Sequence, residues 1–173
     1  MVIEPILTRR STRKFTDTPV TKAQAEALLT AAMLSPSACN TRPWRFIAIT
    51  NREMLTKIAD NHPWAGMLHT AQMAIAVIAL PQAQEDVQNG LPLGFYPQDC
   101  AAAVQSILIQ AEAIGLGTCW CGVYPREKTI NDMAAVLETA PEEIPFAIIA
   151  IGEKDQYPNP RGQYEEAKVT WLE

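Results

Sequence analysis

From residue 98 to about residue 114 the chain is apolar almost all the way round a helix: after an acidic start at Asp99, only Gln105, Ser106, Gln110 and Glu112 interrupt it. A helix without a polar face must be buried on most sides. At about 25 Å long, in a chain of 173 residues, it is covered either by the rest of one chain or by a second copy, and the sequence leaves both open. Whatever the fold, it has to place layers around this helix.

The material for those layers is legible on either side. Residues 74–80 are continuously apolar and end at Pro81, which predicts a strand covered on both faces. Residues 46–49 predict a further buried strand, and residues 118–123 and 144–151 two more. Thr21, with Gln24 three residues on, predicts a capped helix start. Ala25, Leu28, Leu29, Ala32 and Met33 form its buried face, and Ser35-Pro36 ends it. Asn51 is expected to cap a short helix through about Asp60. Gly115 is placed to end the central helix, and Ile130, Met133, Ala134 and Leu137 mark another amphipathic helix. Residues 169–172 are expected to form a short extended end. Interspersed helices and strands argue for one α/β or α+β layered domain over 1–173. Residues 82–97 carry Gly90, Pro92, Gly94 and Pro97 and read as an irregular loop of the kind that lies over sites.

The chain is 48% hydrophobic and 19% charged, enough apolar material for a real core. Its net charge of -5 makes any basic cluster local and argues against nucleic acid as the main partner. With no signal-like N-terminus and no apolar run long enough to span a bilayer, the expected setting is cytosolic, without a membrane partner. Cys39, Cys100, Cys119 and Cys121 lack zinc-type C-x-x-C spacing, and two histidines add little, so no metal site is expected. Cys119 and Cys121 flank Trp120 in the expected strand; the expectation is thiols on opposite faces that neither share a metal nor pair.

One local cluster stands out. Thr8-Arg9-Arg10-Ser11-Thr12-Arg13-Lys14-Phe15 sets four cations and three hydroxyls within eight residues. Forked guanidinium donors match phosphate oxygens, so a phosphate-bearing cofactor is one reading and a solvated basic turn is the other. A second stretch, Ser35-Pro36-Ser37-Ala38-Cys39-Asn40-Thr41-Arg42-Pro43-Trp44, is a loop of small and hydrogen-bonding residues whose backbone can approach a flat ligand. Other residues read as structural: His62 and His69 as loop and helix histidines, Trp44 and Phe46 as core, Asp99 as a helix-start residue favoured by the macrodipole. Phe95 and Tyr96 are either a lid on a pocket or a surface anchor.

Those two stretches, with Gly115-Leu116-Gly117-Thr118-Cys119-Trp120-Cys121-Gly122, the helix start Gln98-Asp99-Cys100-Ala101-Ala102-Ala103-Val104-Gln105 and the tail near Arg161, together resemble the nitroreductase family in order and spacing. The resemblance covers nearly the whole chain. It implies an α+β fold with a central, mostly antiparallel sheet flanked by helices, built as an intertwined homodimer with two FMN sites at the subunit interface.

Carried over by position, the resemblance implies that Arg9, Arg10, Ser11 and Arg13 hold the FMN phosphate, ribityl chain and pyrimidine edge, with Arg161 reaching the phosphate. Pro36, Ser37, Ala38, Asn40 and Arg42 come from the partner's loop, and Cys121 and Gly122 lie against the isoalloxazine through their backbone. NADH or NADPH would reduce flavin N5, which passes electrons to a small-molecule acceptor such as a nitroaromatic, quinone or enone by a ping-pong mechanism. No protein side chain is assigned as catalytic, because the cofactor carries the chemistry. The chain departs from the pattern at Cys39, where a hydroxyl is frequent, at Cys121, where an aliphatic residue is usual, and in being short between Pro81 and Pro97. The shortness motivates the alternative of an FMN carrier or sensor without turnover; a same-fold enzyme for reductive dehalogenation or flavin fragmentation shares the implied flavin site and is a further alternative.

Overall fold

In the computed structural model, residues 1–84, 94–159 and 162–172 are described. Their elements run α1 (Glu4–Thr8), α2 (Lys22–Met33), β1 (Trp44–Ile49), α3 (Arg52–Asn61), β2 (Met73–Ala79), α4 (Tyr96–Ala113), β3 (Leu116–Gly122), α5 (Glu127–Leu137) and β4 (Ile144–Glu153), with short 3-10 turns between. The four strands form one sheet in the order β1-β2-β4-β3, and every named pairing is antiparallel. This is an α+β fold, a central antiparallel sheet flanked by helices.

Strand β2 explains the layering. All seven of its residues are buried, so both faces of the sheet need cover. Met73, Ile75, Val77 and Ala79 pack with Leu28 and Ala32 of α2 and with Cys100, Ala103, Val104, Ile107 and Ala111 of α4. Ala74, Ala76 and Ile78 face Leu55 and Ile58 of α3 and Met133 and Val136 of α5. The alternation of a strand thus feeds one helical layer on each side.

The local signals act as their chemistry requires. Thr21 accepts from the Gln24 amide at 3.2 Å while Gln24 Oε1 accepts from the Thr21 amide at 2.9 Å. Asn51 caps α3 through the Met54 amide at 2.9 Å. Helix α4 starts at Tyr96, earlier than expected, because Pro97 is tolerated in a first helical turn. It ends at Gly115, whose φ of +81° favours glycine.

Several expectations are corrected. Strand β1 lies at a sheet edge and is only half-buried, since nothing pairs with its outer side among the described residues. Met33 is exposed at the end of its helix, and residues 169–172 pair with no strand and are exposed. The expected irregular segment falls largely on residues 85–93, outside the described residues, and Tyr96 is helical, with its ring edge-on to Tyr124. Cys119 and Cys121 share one face of β3 and one core cluster, because residues two apart in a strand point the same way; Trp120 takes the opposite face. Helix α4 is covered within the chain along Cys100, Ala103, Val104, Ile107 and Ala111, while Gln105 and Ala113 are exposed and Ala102 and Ile109 half-buried.

The basic stretch is seated on a pair of glycines. Gly117 of β3 lies opposite Gly152 of β4. A methyl group on Gly117 would lie 2.7 Å from Thr12 Oγ1 and 2.8 Å from Thr12 Cβ, and one on Gly152 would lie 2.9 Å from the Phe15 ring. The absence of both side chains lets the stretch cross the sheet, where Thr12 donates to the Thr118 carbonyl at 2.8 Å and Asp155 donates to the Lys14 carbonyl at 3.0 Å. Because Thr12 is fully enclosed, Gly117→Ala is expected to lower stability by about 1–3 kcal/mol through overpacking, measured as a fall in the urea midpoint at unchanged m-value.

Candidate functional site

Arg9, Arg10, Ser11 and Arg13 come together in a cavity of about 390 Å³ closed by Gln156, Pro158 and Asn159. Arg10 Nε donates to the Asn159 carbonyl at 3.1 Å and Gln156 donates to the Ser11 carbonyl at 3.4 Å, so the stretch and the segment after β4 hold one another. Among the described residues, no carboxylate pairs with Arg9, Arg10 or Arg13. Three clustered guanidiniums without acidic partners suit an anion with several acceptor oxygens. Arg161, the remaining expected ligand from the tail, lies outside the described residues.

Arg13 also lines a larger cavity of about 850 Å³, with Lys14, Phe15, Trp64, Gly66, Met67, Thr70, Cys119, Trp120 and Asp155 around it. A basic pocket therefore opens at Arg13 into a space walled by indole rings and a thioether, which suits a planar group carrying a phosphate tail. Lys14 belongs to the basic stretch read from the sequence, whereas Trp64, Met67 and Trp120 were not found as site residues from the sequence. Those three come from separate segments, and each reads alone as core or surface.

The β3 end of the site is held from below. His62 is buried, with Nδ1 accepting from the Trp64 amide at 3.2 Å and Nε2 3.2 Å from the Gly122 carbonyl. That geometry selects the neutral tautomer with the proton on Nε2, and desolvation pulls its pKa below the usual histidine value. Gly122 is exposed, whereas the Cys121 side chain is buried against the Trp64 carbonyl and Met67 sulfur, each 3.6 Å away. Arg126 stacks on Trp64 with its guanidinium carbon 4.3 Å from the ring centre, an arrangement that braces the cavity wall.

The loop half of the expected site is elsewhere in the same chain. Pro36, Ser37 and Ala38 line a different cavity with Phe95, Gln98, Asp99 and Ala102, and Asn40 and Arg42 are exposed. The register measures the separation. The loop enters β1 at Trp44, level with Ala79, whereas Ser11 bridges Thr118, which is level with Ile151 and Met73. Three strand spacings across and six residues along put the two halves at opposite corners of the sheet, about 25 Å apart. One chain does not close both around one ligand.

Residues 6–62 and 59–153 match the nitroreductase family. The chain belongs to that family. It is 38% identical over 168 residues, covering 97% of itself and 85% of the relative, to a Methanothermobacter thermautotrophicus protein provisionally named NADH dehydrogenase/NAD(P)H nitroreductase. A crystal structure of a similarly named protein from Parabacteroides distasonis superposes with a TM-score of 0.88 at 32% identity, covering 96% of this chain and 95% of the other. A Desulfovibrio desulfuricans nitroreductase-family structure, solved in complex with FMN, gives 0.79 at 28% identity over 98% of this chain and 94% of the other.

The two thiols of β3 differ in character. The Cys119 pKa is lowered, chiefly because the Cys121 S–H donates to its sulfur; burial opposes this, and the Arg13 and Arg9 cations add to it. Cys121 is raised correspondingly. Because the thiolate is the nucleophile, Cys119 is expected to be the first of the pair alkylated by iodoacetamide in ligand-free protein. Cys121→Ala should move the pH midpoint of Cys119 labelling upward, and Arg13→Gln should move it the same way by less, both followed by peptide mass spectrometry.

Proposed function

We propose that this chain is an FMN-dependent NAD(P)H oxidoreductase of the cytoplasm acting as a homodimer. The observation that carries the reading is the acid-free cluster of Arg9, Arg10 and Arg13 opening at Arg13 into an aromatic-walled cavity. In this reading Arg9, Arg10, Ser11 and Arg161 hold the phosphate and ribityl chain, Arg13 the pyrimidine edge, and the backbone at Cys121 and Gly122 supports the ring. The bound flavin supplies the two-electron chemistry between NADH or NADPH and a small acceptor such as a nitroaromatic, quinone or enone, in ping-pong order. With FMN bound, Arg13 would stand beside the ring and its charge would stabilise negative charge on the pyrimidine. Trp64, Met67 and Trp120 exclude water from the ring's surroundings.

The corner-to-corner separation supports the dimer. Pro36, Ser37, Ala38, Asn40 and Arg42 are 25 Å or so from the basic cluster by sheet spacing, a gap a second copy can close by bringing its own loop. The partly exposed side of α4 at Ala102, Gln105, Ile109 and Ala113 supports it too. So do the exposed Ile3, Ile6 and Leu7 near one end of the chain and Trp171 and Leu172 near the other, large apolar side chains that a second copy could cover.

The test is direct. Purified protein should be yellow, release FMN rather than FAD on heating, and bleach anaerobically with NADH or NADPH; a colourless protein that takes up no added FMN would overturn the reading, and flavin that neither nucleotide reduces would point to a carrier. Arg9→Ala and Arg13→Ala should each weaken FMN binding by about 1.5–3 kcal/mol, the worth of a charge-assisted hydrogen bond. Asn40→Ala with Arg42→Ala should leave a dimer in sedimentation while flavin titration shows weakened binding; full FMN occupancy in a wild-type monomer would contradict the shared site.

A further inference from the structure

Asp99 was expected to be a helix-start residue, but its carboxylate leaves the helix and holds the loop. Both oxygens lie within reach of the Ala38 amide, at 3.2 and 3.1 Å, and Oδ2 accepts from Gln84 Nε2 at 2.7 Å. The same Gln84 nitrogen reaches Thr41 Oγ1 at 3.1 Å, and Thr41 Oγ1 donates to the Ala38 carbonyl at 2.8 Å. Ala38 is thereby pinned at both its N–H and its C=O. Asp99 and Gln84 are buried at 8% and 1% exposure. A carboxylate only accepts, so Gln84 must turn its nitrogen inward, and its Oε1 has no partner among the described residues.

What this buried network holds in place is strained. Cys39, Asn40 and Arg42 have φ of +49°, +53° and +49°, values that residues other than glycine keep only where their surroundings over-determine them. The two side chains so displayed, Asn40 and Arg42, are exposed and bonded to one another, Arg42 Nε donating to Asn40 Oδ1 at 3.2 Å. The Arg42 amide donates to Ser37 Oγ at 2.9 Å, which closes the turn.

We propose that Asp99, with Gln84, is a positioning residue for FMN: it sets the loop conformation in which Asn40 and Arg42 meet the flavin across the subunit boundary. This rests on the flavin reading above. Of the residues assigned to the flavin, Asp99 bonds Ala38 of the loop, so its action runs through the loop, and a double-mutant cycle isolates such action.

FMN is titrated by fluorescence quenching into wild type, Asp99→Ala, Gln84→Ala, Asn40→Ala/Arg42→Ala, and the combination of Asp99→Ala with the loop pair. Asp99→Ala is expected to raise the FMN Kd by about tenfold or more, Gln84→Ala by less, and Asp99→Ala in the loop-pair background by about twofold at most. Wild-type affinity in Asp99→Ala, or losses that multiply in the combined variant, overturns the proposal while leaving the flavin reading intact. A wild type that takes up no FMN overturns the flavin reading and this proposal with it. If Asp99→Ala does not fold, Gln84→Ala and its combination with the loop pair decide by the same criterion.

Discussion

Everything about this site follows from a strand that is buried on both faces. With β2 enclosed from Met73 to Ala79, helices must cover both sides of the sheet, and no ligand can lie across the middle of either face. Binding is left to the margins, where strands end and the chain turns. The two stretches with ligand-binding chemistry sit at two such margins, one beside Thr118 of β3 and one before Trp44 of β1.

The margin beside β3 exists because of two missing side chains. Gly117 and Gly152 face each other across the strand pair, and the stretch that carries the cations lies over them. That close approach brings a cluster of positive charge against a sheet edge in a chain whose net charge is -5. Self-repulsion among Arg9, Arg10 and Arg13 is tolerable because Arg9 and Arg10 are only half-buried and Arg13 is exposed, so water still screens them. A site built this way has its charge in place before any anion arrives.

Much of the fold was legible because its signals are local. The capping of α2 by Thr21, the cap at Asn51, the all-apolar β2 and the stop at Gly115 each depend on residues a few positions apart. What failed was relational. The thiols of Cys119 and Cys121 were assigned opposite faces, although strand alternation puts them together. Strand β1 read as buried because its residues are apolar, but edge position is a property of the sheet order. Asp99 looked like a capping charge because its partners, Ala38 and Gln84, are 61 and 15 residues away. The cations and the loop were readable as binding stretches; Trp64, Met67 and Trp120 were not, because no spacing links them.

Helix α4 connects these facts. Along its length it holds the loop at several points: Asp99 at Ala38, the Cys100 thiol 3.6 Å from the Pro43 carbonyl, and Ser106 Oγ 2.7 Å from Ser35 Oγ. Its inner side is committed to α2 and β2, while on the other Gln105 and Ala113 are exposed and Ile109 half-buried. In the proposed dimer that other side meets the second copy, so one rigid helix would both contact the partner and carry the loop that reaches the partner's flavin. Assembly and cofactor affinity would then be linked by mass action, without any conformational change, because the element that joins them is already packed in the single chain.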